Sequence, residues 1–206
     1  MVLADAVIDI RADKPRVGDK FFVDTNVWRY FTYAKFTTSH SLKQKQLAQI
    51  YSKYINDCLK AGASLFWSPL SYSELSSVIE KTEFDLYKAM NPGNASLSIK
   101  DFRLGNIERT GVVFEMQIAW NQITSLALPL STSTDSESLA KAVELFEKFP
   151  LDGYDIFYIQ AMMAARVSSV ITHDIDFVHV SGLNVFTANE KALTSASFFP
   201  RVSKSR

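Results

Sequence analysis

The sequence predicts an α/β protein, with a mainly parallel sheet held between helices in three layers. Three observations carry this expectation. Short apolar runs of strand length alternate with longer segments of helical periodicity. The run Phe21–Val23 breaks abruptly into Asp24-Thr25-Asn26, and Val170–Thr172 breaks into His173-Asp174-Ile175-Asp176. Such short, continuously apolar strands suit a sheet covered on both faces. No internal repeat or linker divides the 206 residues, so residues 1–206 read as a single domain.

In chain order, residues 1–19 form a leader of mixed character, either an edge strand over Ala6–Ile10 followed by a loop or a mobile arm. After the Asp24 turn, Val27–Phe36 is rich in aromatics (Trp28, Tyr30, Phe31, Tyr33, Phe36) and reads as a helix start packing on the sheet. The alternative is a stacking platform for unpaired bases. Ser41 opens a helix to about Lys60 through Leu42, Leu47, Ile50, Tyr54 and Leu59, and Gly62 ends it. Cys58 lies near that stripe and reads as core.

Ser64–Ser68 is the second strand, closed by Pro69. Ser71-Tyr-Ser-Glu74 has the form of a capping box opening a helix to about Tyr87. Residues 91–109 lack a clear period and read as a loop around Asp101-Phe-Arg103, before a helix from Val112 to Leu126. Ala127–Leu130 reads as a short strand. Thr134-Asp-Ser-Glu137 reads as a second capping box, for a helix to Phe149 with Leu139, Val143 and Phe146 on one face. Pro150–Gly153 is a turn. Tyr154 or Asp155 then begins a helix that is apolar nearly all round and therefore buried. Leu183–Phe186 is a last strand, and Arg201–Arg206 is a basic tail.

Composition narrows the functional classes. Lys+Arg and Asp+Glu balance at 22 each, so a nucleic-acid ligand would depend on local patches and metal rather than on a global basic field. The single cysteine excludes an internal disulfide and fits a reducing, cytoplasmic setting. Asp5 interrupts the apolar N-terminus, which has no basic leader, and no apolar run has the length of a membrane span.

Four acidic residues occupy comparable places. Asp24 and Asp174 follow strands, while Glu74 and Asp155 fall in the first turns of helices. Each has a bland reading: Glu74 as half of a capping box, Asp155 as a complement to a helix dipole, Asp24 or Asp174 as a turn former. Together they imply a site, because carboxylates converging at one sheet edge repel unless a cation neutralises them. All-oxygen ligation favours Mg²⁺ or Mn²⁺, and no Cys/His spacing suggests zinc. His173 and His179 flank the acidic segment and read as neighbours.

Val23-Asp-Thr-Asn-Val27, Ser68-Pro-Leu-Ser-Tyr-Ser-Glu74, Asp155 opening an Ala-containing helix, and Ile171-Thr-His-Asp-Ile-Asp-Phe177 resemble, in order, the motifs of PIN-domain nucleases. The closest resemblance is to the VapC-type toxins of toxin–antitoxin pairs, and it covers about residues 20–190. It implies a PIN-like fold and an endoribonuclease that uses Mg²⁺ or Mn²⁺ held by Asp24, Glu74, Asp155 and Asp174, with Asp176 as a further metal-binding acid. Thr25, Asn26 and Thr172 match the small polar residues around the family's site, where they would meet substrate. The resemblance further implies hydrolysis leaving a 5′-phosphate and a 3′-hydroxyl, a homodimer, and a small antitoxin partner. Relative to compact toxins, the leader and a helical stretch over about 88–126 are additions.

Other readings fare worse on the residues themselves. A haloacid-dehalogenase-type phosphatase needs a second Asp where Asn26 stands. No Gly-rich phosphate loop follows any strand. A housekeeping RNA-processing nuclease is the enzymatic rival, and a non-catalytic RNA- or protein-binding module is the other. A pure binding module has no need to concentrate repelling acids.

Overall fold

The computed structural model describes residues 4–35, 41–94 and 96–197. Its pivot is β2 (Lys20–Val23), whose Phe21, Phe22 and Val23 are fully buried. On one side β2 pairs with β3 (Ser64–Trp67), and β4 (Leu128–Pro129) lies beyond. On the other side it pairs with β5 (Ser169–Ile171), followed by β6 (Asn184–Thr187) and β1 (Ala6–Asp9) at the edge. The order is β1-β6-β5-β2-β3-β4, and every ladder is parallel. The chain leaves β2 toward β3 and later returns to β5 on β2's other side. The gap between the carboxyl ends of β2 and β5 is therefore the topological switch point, where open α/β sheets form their ligand crevice.

Eight helices are described: α1 (Thr25–Thr32), α2 (Leu42–Ala61), α3 (Pro69–Met90), α4 (Ile99–Leu104), α5 (Asn106–Leu126), α6 (Ser136–Lys148), α7 (Gly153–Ala164) and α8 (Glu190–Ser197). Alternation along the strands separates two cores, which makes the protein a three-layer α/β/α structure. Phe21, Val23, Leu65, Ile171 and Phe186 face α1, α2, α3 and α5. Phe22, Val170 and Val185 face α6, α7 and α8. Phe21 meets Phe186 edge-on at 4.8 Å, and Phe22 meets Tyr158 at 5.1 Å on the opposite face. Trp28, Tyr30 and Tyr33 are buried in the first core, so these rings pack rather than present a stacking platform; Phe36 and the 201–206 tail lie outside the described residues. Cys58 is buried in the same core. Gly62, at φ 76°, closes α2 in the left-handed conformation that a side chain would strain. Among the described residues no helix is long and apolar enough to cross a membrane.

Several elements differ from expectation. Helix α3 starts at Pro69, capped by the Ser68 hydroxyl accepting from the Leu70 N–H at 3.2 Å. Pro needs no N–H partner in a first turn and its φ is already helical, so the start moves ahead of Ser71. Ser71 and Glu74 are thus not a capping box. In α6 the cap is Asp135, accepting from the Ser138 N–H at 2.8 Å, in place of Thr134. Two apolar stripes share that helix: Ala142 and Leu145 turn inward, while Leu139, Val143 and Phe146 are exposed.

The 91–109 stretch is not a loop throughout. A 3₁₀ turn at Pro92–Asn94 leads to α4, which is boxed by Ser98 and Asp101, and α5 begins at Asn106 rather than Val112. A six-residue helix is too short to show a period. It is held by tertiary contacts instead. Phe102 is buried between Phe84 and Tyr87, with ring centroids 5.4 Å from each. Glu80 of α3 accepts from both Arg103 and Arg109. The Val112–Leu126 part of α5 packs beside α3, as its periodicity implies.

Candidate active site at the sheet switch point

Asp24 ends β2 and stands as the N-cap of α1, with extended backbone, yet its carboxylate makes no capping bond. It turns across the switch point instead. Its Oδ2 accepts from Thr172 Oγ1 at 2.6 Å and from Asn26 Nδ2 at 2.5 Å. Thr172 follows β5, is fully buried, and its Oγ1 also accepts from the Asp174 N–H at 2.8 Å. Asn26 Oδ1 accepts from the His173 N–H at 3.1 Å. Two neighbouring strand ends are therefore cross-linked by Asp24, Asn26 and Thr172, and the link fixes where Asp174 leaves β5. Asp174 Oδ1 in turn accepts from the Asp176 N–H at 2.9 Å, opening the 3₁₀ turn Asp176–His179.

The other two acids arrive from opposite layers. Glu74 lies in the second turn of α3, clear of the cap, and its Oε2 accepts from the Tyr158 hydroxyl at 2.8 Å. That hydroxyl is also 3.2 Å from Thr25 Oγ1, tying α7 to α1 and α3 together. The buried Ser71 hydroxyl lies near Tyr158 but makes no hydrogen bond among the described residues. Asp155 sits in the first turn of α7, where Asp152 performs the capping: Asp152 Oδ1 accepts from the N–H groups of Tyr154 (2.9 Å) and Asp155 (3.0 Å). The Asp155 side chain is left without a hydrogen-bond partner among the described residues, although it is buried.

Burial and mutual repulsion act on these groups together. Burial raises the Asp24 carboxyl to about 7, the charges of Glu74 and Asp174 add to the rise, and the Thr172 hydrogen bond opposes it. Burial raises Asp155 to about 9, with Asp24, Asp152, Asp174 and Glu74 all pushing the same way. Asp176 is also raised, first by burial and then by Asp174. The Tyr158 hydroxyl is pushed up by burial and by Glu74, so it stays a donor. The four acids read from the sequence are therefore coupled electrostatically around the switch point, and Asp176 is coupled to Asp174 and Asp152. Thr25, Asn26 and Thr172 are there too, and their hydrogen bonds run within the site.

Two contributors carry weaker sequence signals. Tyr158 is three residues after Asp155, on the same helix face, and that spacing is its only advertisement. Asp152 lies in the Pro150–Gly153 turn, where Asp is expected on turn grounds alone.

Comparison with known proteins adds no relative: no family model matches the chain, and no curated protein or solved structure matches it significantly. Among the described residues, no three acidic, histidine or cysteine side chains are drawn together as a formed metal site. The donor set nonetheless fits a hard divalent cation in kind. It is all oxygen, it includes two buried carboxyls that ionise only against repulsion, and the Asp155 side chain has no donor among the described residues.

Proposed function

We propose that the chain is a metal-dependent endoribonuclease that hydrolyses RNA phosphodiester bonds, acting as the toxin of a toxin–antitoxin pair. One observation supports the enzymatic reading: Asp24, Glu74, Asp155 and Asp174, carried by four separate elements, repel one another around the β2/β5 switch point, at an electrostatic cost that stability alone does not call for. The toxin, antitoxin and homodimer parts rest on the order of the sequence motifs.

In this reading Asp24, Glu74, Asp155 and Asp174 hold the cation, with Asp176 at the rim. When bound, Mg²⁺ or Mn²⁺ supplies Lewis acidity and lowers the pKa of water. The chain's own residues supply position. Thr172 and Asn26 both hold Asp24 through the same oxygen, Oδ2. Tyr158 fixes Glu74 through Oε2, and Asp176's N–H fixes Asp174 through Oδ1. The proton released by the attacking water passes to whichever carboxylate faces it, as in general base catalysis. No serine or cysteine nucleophile is needed, and Cys58 is buried away in the helical core.

The test is direct. Purified protein incubated with an unstructured RNA should cut it in Mg²⁺ or Mn²⁺ but not in EDTA, leaving 5′-phosphate and 3′-hydroxyl ends, and Asp24→Asn should not cut. A folded wild-type chain inert toward RNA in either metal would overturn the reading. Growth arrest on expression, absent in Asp24→Asn and relieved by a small neighbouring gene product, supports the toxin. Normal growth at verified expression of a cleaving enzyme overturns that part alone.

A further inference from the structure

We infer that a cavity at the amino edge of the sheet, between the C-terminal ends of α6 and α7, binds an amphiphilic monocarboxylate, a medium-chain fatty-acid anion. It lies at the other end of β5 from the acids, beside Ser168 and Leu183, which precede β5 and β6. Its floor is apolar: Phe149, Ile159, Met162, Val167, Val180 and Leu183 line it, and all six are buried. The volume is about 300 Å³, at the small end of ligand pockets. That is room for roughly ten non-hydrogen atoms at about 30 Å³ each, the share of a water molecule in the liquid, and octanoate has that size.

Charge at the rim selects the head group. Lys148, the last residue of α6, and Arg166, just past the end of α7, both line the cavity and are exposed. The Lys148 ammonium lies 5.0 Å from the centroid of the Phe149 ring, which belongs to the floor. Neither cation pairs with a carboxylate among the described residues, and no acidic side chain lines the cavity. Asp5 meets the lining by accepting from the Gly182 N–H at 3.1 Å. A planar guanidinium and a point-charge ammonium above an apolar floor complement a carboxylate carried on a hydrocarbon tail.

The backbone at Arg166 is a second, independent sign. Helix α7 closes with the Arg166 N–H on the Met163 carbonyl at 3.1 Å and the Val167 N–H on the Met162 carbonyl at 2.9 Å. This closure puts Arg166 in the left-handed conformation, at φ 54°, where glycine is the usual residue. The other left-handed residues described, Gly18, Gly62 and Gly182, are all glycines. A long cationic side chain is thus kept at a strained position that glycine would fill freely. Cations near helix C-termini also complement the helix dipole, but that role does not require the left-handed residue itself to carry the charge.

Titration of the full chain with sodium octanoate, read by NMR on methyl-labelled methionine, tests this. Met162 and Met163 line the cavity, and Met116 sits in the opposite core as an internal control. Octanoate should shift Met162 and Met163 saturably and leave Met116 unmoved. Octanol, with the chain but no charge, should bind roughly tenfold more weakly, and acetate, with the charge but no chain, should give no saturable shift. Lys148→Gln should weaken octanoate binding roughly tenfold. Arg166→Gly should do the same while the ligand-free chain melts at least as high as wild type, because the left-handed strain is gone. A lower melting temperature with unchanged octanoate affinity would assign Arg166 to the fold and overturn its place in the site. Equal affinity for octanoate and octanol, untouched by either substitution, would overturn the anion site. So would the absence of any saturable shift of Met162 and Met163 at millimolar octanoate.

Discussion

Thr172 Oγ1 donates to Asp24 Oδ2 at 2.6 Å, joining residues 148 positions apart across the ends of two paired strands. Together with the Asn26 amide, this bond holds Asp24 toward its ionised form, against burial and the charges of Glu74 and Asp174. Thr172→Val, nearly isosteric, should cost about 1–3 kcal/mol because it leaves a buried carboxyl short of a donor. Thr172→Ser should recover most of that. Urea unfolding of the two variants makes the comparison, and equal stability of Val and Ser would show that the bond carries little weight.

Asp24→Asn should separate stability from activity. It removes a buried charge from a repelling cluster, so the metal-free protein should become more stable above neutral pH. RNA cleavage should fall by on the order of 100-fold or more, since an amide is a poor cation ligand and cannot accept a proton. Melting curves at pH 8 and cleavage rates in Mn²⁺ report the two effects. A variant that loses both stability and activity would mark Asp24 as structural.

The pH dependence follows from Asp24 and Asp155. Both bind their protons more tightly in the folded state than at the ordinary value of 3.8, so the folded protein holds the extra protons. Their contribution to stability is complete below that value and is lost as pH rises through about 7 for Asp24 and about 9 for Asp155. In EDTA the urea midpoint should therefore decline between pH 5 and 9, and Asp155→Asn should flatten the upper part. Mg²⁺ or Mn²⁺ should raise the midpoint more at pH 8.5 than at pH 6, because ligands must be deprotonated to bind. A midpoint indifferent to pH and metal would contradict a shared carboxylate pocket.

Tyr158→Phe removes the donor to Glu74 Oε2 and keeps the ring that packs on Phe22. Cleavage should fall by roughly tenfold, about 1.4 kcal/mol of transition-state stabilisation, with a shifted pH–rate profile and little change in melting temperature. An unchanged profile with a lowered melting temperature would assign Tyr158 to packing alone.

Glu80→Ala tests the clamp on α4. Its carboxylate sits nearly buried in α3 between Arg103 and Arg109, both about half exposed. Without it the 91–105 stretch should become the preferred site of limited proteolysis, because Phe102 alone then anchors a six-residue helix. RNA cleavage should persist, since neither arginine touches the switch point.

The sequence by itself determined the alternation of strands and helices, because buried parallel strands must be apolar on both faces and Phe21–Val23 and Val170–Ile171 advertise that. It also placed Asp24 and Asp174 at strand ends, since apolar-to-acidic breaks are local features. What it could not determine is which apolar stripe of α6 turns inward, whether 91–109 forms a helix, or where α3 begins. Those depend on Ala142 meeting its neighbours, on Phe102 reaching Phe84 and Tyr87, and on Pro69 starting a turn ahead of an apparent capping box. The pocket is likewise a tertiary product. Glu74 lost its capping role and gained Tyr158, and Asp155 stays in the first turn of a helix that Asp152 caps. Partners 84 and 148 residues apart along the chain leave no local period, so only the packing of β2 against β5, and of α3 and α7 over their ends, could reveal them.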